Sequence, residues 1–397
     1  MSDTKPRASI KLPSDFVFGE LRPDHTKPAP PAPPPPLGPL SAFVGDWVGN
    51  GFNTIFRPDS AATPTPLPNP VPPPPPPRDN ILELNLTSES LSFSPSLGSV
   101  PNRGTAAQPD AFLNGVPYLQ TINDITIHGE SVGIHVETGI WIHVPATTVP
   151  QLGETVTRMA SIPHGTTIEA QGLVAPAQPG PPTIATLDIT PSITGSNPVK
   201  KVTFASQTAS DKNTPRIPQD LGPFITRGTI TQAMLNDPNS LLRDHISKQK
   251  IISTTTIFIS TTPPPPVGLF GGGTDNIAFL LGQAAVPPPA PNAQALQMTA
   301  VFWIETVEEV IKVGPYRVGA PPLLIKAKRS VPGQRVPRFS VTPPFDLDKE
   351  SEITVTFTQI QYSQTVLLNF ATLTWPHVSV NTLVPADDII VPPSVWK

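Results

Sequence analysis

Cysteine is absent from the 397 residues, and that absence excludes disulfide frameworks, thiolate catalysis, sulfur-built zinc or iron–sulfur sites, and haem held through a thiolate. Any metal must be held by histidine or carboxylate. Charge is also scarce: charged residues make up 14% and the formal net charge is −4, so no basic field exists to hold nucleic acid or an anionic membrane. There is no apolar run long enough to cross a bilayer, and the opening MSDTKPRASIKLPSDF lacks the apolar core of a signal peptide. These absences predict a soluble, cytoplasmic protein with neither a nucleic-acid nor a membrane partner. Catalytic signatures are missing too. GLFGGGTDN has no Lys-Ser/Thr and opens no helix, so it reads as a plain loop rather than a phosphate cradle. No nucleophile elbow or Ser-His-Asp spacing occurs, Glu308 and Glu309 read as a solvated strand end, and no solenoid period is evident.

Proline is what the chain has in excess. Its 58 residues cluster in KPAPPAPPPPLGP, NPVPPPPPPRDN, TTPPPPVG and AVPPPAPN, about three times ordinary usage. The clusters separate runs that alternate like strands, so they read as stiff connections. Residues 1–40 carry no sustained periodicity and form a Pro-rich arm. Residues 41–397 are expected to form one elaborated barrel domain, in which about 173–350 is an insertion or a second barrel-like half.

Strand texture dominates this domain. AFVGDWVGNGFNTIFRP suits a bent first strand with glycines where the backbone turns. NILELNLTSESLSFSP alternates over Leu82, Leu84 and Leu86, with Glu83 and Asn85 on the other face. LQTINDITIHGESVGIHVETGIWIHVPA reads as two strands around HGES, and TIATLDITPSI and KKVTFASQT add further candidates. The best helix signal is TITQAMLNDPNSLLRDHISKQK, with Asn239 or Ser240 capping a short second helix after Pro238. Ten to fourteen strands, few helices and no βαβ rhythm predict an all-β fold, an antiparallel lipocalin-like barrel with one or two short helices.

Seven histidines are the remaining source of chemistry. His25 falls in the arm, His128 in a turn, and His245 on the helix with a solvent-facing expectation. His135 and His143 stand eight apart on one strand, a spacing that puts both on one face and leaves a paired zinc or non-haem iron site open, without a third ligand. His164 follows Pro163, and His377 follows Trp375 and Pro376 at the head of an alternating strand.

Four segments, in order, resemble the nitrobindin-like haem proteins, a lipocalin-like barrel family. FVGDWVGNG is similar to the family's opening Gly-x-Trp-x-Gly-x-Gly strand, with Gly45, Trp47, Gly49 and Gly51 in place. HVETGIW resembles its His-x-Glu-Ser/Thr-Gly-aromatic strand. ASIPHGTTIEAQG resembles its Ala-His-Pro-x-Gly segment, although here Pro163 precedes His164. QYSQTVLLNFATLTWPHVSVNTL resembles its closing hairpin, which carries the proximal histidine. The resemblance implies a b-type haem with His377 as its iron ligand, and His164, Trp47, Trp141, Val380 and Leu368 as candidate cofactor contacts. It further implies a diatomic ligand or conversion of peroxynitrite or peroxide. The chain departs from that family by its arm and by about 150 additional residues before the closing hairpin. A haem-free barrel that binds or cyclises a small hydrophobic molecule, lined by residues such as Leu367, Leu368, Phe370 and Phe302, is the alternative. Scaffolding through the proline segments is a third reading, and homo-oligomerisation is left open.

Overall fold

In the computed structural model, residues 10, 12–13, 16, 35–59, 80–149, 151–263, 272–277, 293–331 and 333–396 are described. Most of the arm and most of the proline clusters lie outside them. Ten antiparallel strands close into a barrel: β1 (Gly45–Pro58), β2 (Asn80–Phe93), β3 (Ala111–Asp124), β4 (Val132–Val144), β5 (Thr155–Ile162), β6 (Thr166–Val174), β7 (Lys250–Ser260), β8 (Gln294–Val313), β9 (Ser351–Phe370) and β10 (Leu373–Pro385). Two seams complete the circle: β1 pairs with β10 from Trp47↔Pro385 to Thr54↔Val378, and β6 pairs with β7 from Gln171↔Ser260 to Val174↔Ile257. Closure removes every free edge within those seams, which an open sheet would leave to pair with other chains. β7 and β8 fall inside the 173–350 stretch, so that stretch enlarges the barrel itself.

Alternation along the strands sorts the side chains into two cores. Inside the barrel, Trp47, Leu91, Phe93, Tyr118, Trp141, Phe302, Ile360 and Leu383 pack together. Outside it, Phe52, Phe56, Leu82, Leu84, Val378 and Val380 pack beneath residues of the insertion, including Ile189, Leu221, Met234, Leu235 and Leu242. Strands covered on both faces need apolar residues at both parities. The leucines of NILELNLTSES therefore face outward, and the polar positions Asn85, Thr87 and Glu89 face the interior.

The outer layer contains three short helices, α1 (Gly222–Arg227), α2 (Gln232–Asn236) and α3 (Asn239–Ile246). Sequence periodicity anticipates α2 and α3 but not α1. Neither Asn239 nor Ser240 caps α3: Pro238 holds the N-cap position, and Asn239 instead donates to the Ala185 carbonyl at 2.9 Å. The expected strands in TIATLDITPSI and KKVTFASQT are corrected: only Ser192–Ile193 pair with Thr374 and Leu373 of β10, Ser192 also bridges Lys201, and the second segment ends in a 3-10 turn at Ala205–Gln207. Arg216 organises this region by donating to the carbonyls of Ser206, Thr208, Asp211 and Gln219. The expected loop GLFGGGTDN contains a short strand, Gly273–Asn276, which extends β6 along Thr166–Glu169. His245, expected to face solvent, is 3% exposed and bonds Thr382 Oγ1 at 2.7 Å beneath α3.

A turn at Gly38–Ala42 blocks one end of the barrel. Leu40 and Phe43 are fully buried there. Phe43 meets Phe93 at 4.9 Å and the edge of Trp141 at 5.4 Å, and the Trp47 indole donates to the Phe43 carbonyl at 2.7 Å. The arm boundary drawn at residue 40 thus falls within this plug.

Candidate functional site

Beyond the plug, the barrel interior turns polar at Arg158 on β5. Its guanidinium lies 5.5 Å from the Tyr118 ring centroid, 5.8 Å from Trp141 and 5.9 Å from Phe302, so aromatic rings form one side of its surroundings. On the other side its Nη2 donates to Glu137 Oε1 at 2.5 Å and its Nη1 to Gln364 Oε1 at 2.8 Å. Burial alone would raise the Glu137 pKa, but Arg158 and the donors around it hold the carboxyl down to about 2.

Glu89 on β2 occupies the same level with no cation in contact. It accepts from Gln120 at 2.7 Å, from Tyr362 at 2.6 Å and from Asn381 at 2.8 Å. Burial outweighs these hydrogen bonds and raises its pKa to about 7. The glycines of the opening motif make this arrangement fit. A Cβ on Gly49 would stand 2.6 Å from Asn381 Oδ1, and one on Gly51 would stand 2.9 Å from its Cγ. The nearest obstacles are backbone, the Thr382 carbonyl at 2.3 Å from the first and the Val380 carbonyl at 2.0 Å from the second, so close approach of β10 excludes a side chain at both and Asn381 uses the space beside them to reach Glu89.

The histidines gather at the end opposite the plug. His377 faces inward from β10, with Nε2 2.7 Å from the Asn53 amide nitrogen, and Asn85 donates to Asn53 Oδ1 at 3.2 Å. From the far wall, His135 on β4 stacks on His164 of the β5–β6 turn, ring centroids 5.4 Å apart. Burial, and then repulsion from His135 and His164, pull the His377 pKa down to about 3. Burial and His135 likewise lower that of His164. By surface area His377 is half-buried. Its lowered pKa favours the neutral imidazole, which can accept the hydrogen bond from Asn53.

Not every sequence candidate belongs to this mouth. Trp47 and Trp141 belong to the plugged half; Trp47 pairs with Pro385, eight residues along β10 from His377, a strand distance of roughly 26 Å. Val380 faces outward onto the insertion. Parity explains Val380, because an interior His377 sends Val378 and Val380 to the other face; Leu368, opposite Trp375 in register, shares the face of His377 and packs with Phe370 and Trp375 at that end of the barrel. His143 does not pair with His135 on a metal, because its Nδ1 lies 2.9 Å from the Pro36 carbonyl at the plugged end. Sequence reading missed Asn53, Asn85, Glu137 and Arg158. The Glu of HVETG was visible within the motif, whereas Arg158 gave no local signal. Two surface grooves, of about 580 Å³ along Thr138, Met159 and Thr274 and about 450 Å³ near Arg103 and Ile142, do not include His377.

No family model and no curated protein matches the chain. The chain is similar in structure to Rv2717c from M. tuberculosis, at 10% identity and a TM-score of 0.31, covering 88% of this chain and 97% of that one. Among the described residues no helix is long and apolar enough to cross a membrane.

Proposed function

We propose that the chain is a nitrobindin-like haem-binding barrel, holding a b-type haem at the histidine mouth through Nε2 of His377. The observation that carries this reading is geometric: at the barrel end opposite the plug an imidazole faces inward from β10, its Nε2 2.7 Å from the Asn53 amide nitrogen, and burial lowers its pKa. The donor set fits. Among the described residues no three His, Asp or Glu side chains converge as an ion held by protein alone requires. A haem iron, already held by four porphyrin nitrogens, asks the protein for one neutral imidazole. His135 and His164 would face it from the opposite wall. When bound, the haem would supply a site for a diatomic ligand or for conversion of peroxynitrite or peroxide. Asn53 occupies Nε2 of His377 with a hydrogen bond worth about 0.5–1.5 kcal/mol, a cost that axial ligation readily exceeds.

The haem-free alternative has less support. Phe43, Trp141 and Phe302 fill the plugged half of the interior, Arg158, Glu137 and Glu89 make its middle polar, and Leu368 and Phe370 are packed against Trp375. A molecule long enough to run the length of the barrel would meet this polar middle and the plug. Titration of the purified protein with haemin tests the proposal. A Soret band that saturates at one equivalent and is shifted or lost in His377→Ala is expected; a wild type that gives no band would overturn it.

A further inference from the structure

The wall opposite His377 carries a pair of residues that holding a haem does not require. His135 Nε2 lies 3.3 Å from Glu137 Oε2, and Glu137 is completely buried. Its other oxygen is already committed: Arg158 donates to Oε1 from Nη2 and from Nε at 3.1 Å, and the Tyr118 hydroxyl donates to the same atom. Oε2 is thus reserved for the imidazole. A carboxylate that accepts from Nε2–H fixes the ring tautomer and leaves Nδ1 as the basic nitrogen. That atom makes no hydrogen bond among the described residues, and the side chain is 19% exposed.

Titratable groups on several elements act on the ring electrostatically. They are Glu137 on its own strand, His164 from the β5–β6 turn, His377 from β10 and Glu89 from β2, with Arg158 behind Glu137. Of the three clustered imidazoles, His135 alone has a carboxylate within hydrogen-bond reach.

We infer that His135 is the proton acceptor and donor of the mouth, with Glu137 as its positioning residue, for a small weak acid that binds as its anion. The inference rests on the haem reading for where the anion sits. In the step, the bond between the ligand atom and its hydrogen breaks, the electron pair stays on the ligand, and the proton passes to Nδ1 of His135. The imidazolium so formed lies against the Glu137 carboxylate. On release the proton returns and the bond re-forms, without oxidant or reductant.

Hydrogen cyanide is a suitable probe, because it is a weak acid in water and binds ferric haem as the anion. Haemin-loaded protein would be mixed with cyanide in weakly buffered solution near pH 7, with proton release followed by an indicator dye. Wild type should release close to no proton, and His135→Gln about one per cyanide bound. Equal release from both would overturn the proposal and leave the haem reading standing. If haemin does not load, that reading fails, and nitrogen-15 imidazole spectra of the unloaded protein decide the pair separately. A His135 ring protonated at Nε2 and bare at Nδ1 supports it, and the opposite tautomer overturns it. Replacing Glu137 and Arg158 together by leucine, which leaves neither charge buried alone, should abolish the tautomer preference; an unchanged preference would exclude Glu137 as the positioning residue.

Discussion

Asn53 and His377 meet across the β1–β10 seam, the amide nitrogen of one 2.7 Å from Nε2 of the other. The same amide also reaches the Val378 carbonyl at 3.2 Å and Ser379 Oγ at 2.9 Å. Two amide protons therefore serve three acceptors, and the bond to the ring is the one that a metal can displace without leaving the amide unpaired. On the haem reading, Asn53→Ala should tighten haemin binding about three- to tenfold, the equivalent of one hydrogen bond released. Haemin titration checks this. Weaker binding would mean that Asn53 orients the ring instead of competing for it.

Arg158 and Glu137 are 3% and 0% exposed, so each depends on the other for its charge. Arg158→Met should destabilise the fold by about 3–5 kcal/mol, because it strands an ionised carboxylate in the interior. Adding Glu137→Leu should recover much of the loss. Urea denaturation of the three proteins measures both effects, and additive losses in the double variant would rule the coupling out.

Stability should respond to pH in two opposed ways. Burial raises Glu305 to about 8 against one hydrogen bond from Gln359, as it raises Glu89 to about 7. The folded protein holds these protons more tightly than the unfolded chain does. Their contribution is thus fully present below the ordinary value of 4.5 and lost as pH climbs through the raised values. His377 and His245, pulled by burial to about 3 and about 4, act in the other sense. Their contribution is whole above 6.5 and is lost as pH falls through the depressed values. Glu305→Gln should therefore raise stability at pH 9 by a few kcal/mol and change it little at pH 4. Urea midpoints at the two values would show it, and an equal change at both would refute it.

The β9–β10 hairpin turns through Ala371 and Thr372, with φ of 47° and 60°. Both lie in the left-handed region, where a β-branched threonine is strained. The pair Ala371→Asn with Thr372→Gly supplies the residues that such two-residue turns favour. It should stabilise the protein by on the order of 1–2 kcal/mol, read as a rise in the denaturation midpoint.

The chain announces its barrel through alternation and turn chemistry, but it does not announce which face is inner. Leu82, Leu84 and Leu86 look like core and are, yet the core they join is the outer one; only the cover supplied by residues 184–242 reveals this. The histidine end is legible in part for the same reason. His377 and His164 stand out because histidine is rare, whereas Asn53 and Asn85 are ordinary residues until β1, β2 and β10 bring them together with His377, as Arg158 is until β5 brings it to Glu137 and Gln364. Trp47 and Trp141 mislead because a large ring suits a plug as well as a pocket. His245 misleads because a helix two turns long shows too little periodicity to identify its buried face.

The plug has a consequence for traffic. With Leu40 and Phe43 sealing one end, whatever binds near His377 must leave by the doorway it entered, and a second molecule cannot push it out from behind. Such a cup favours long occupancy over fast through-flow. Shortening Phe43 to alanine would open a back door, and its effect would be felt first in how quickly a bound molecule escapes.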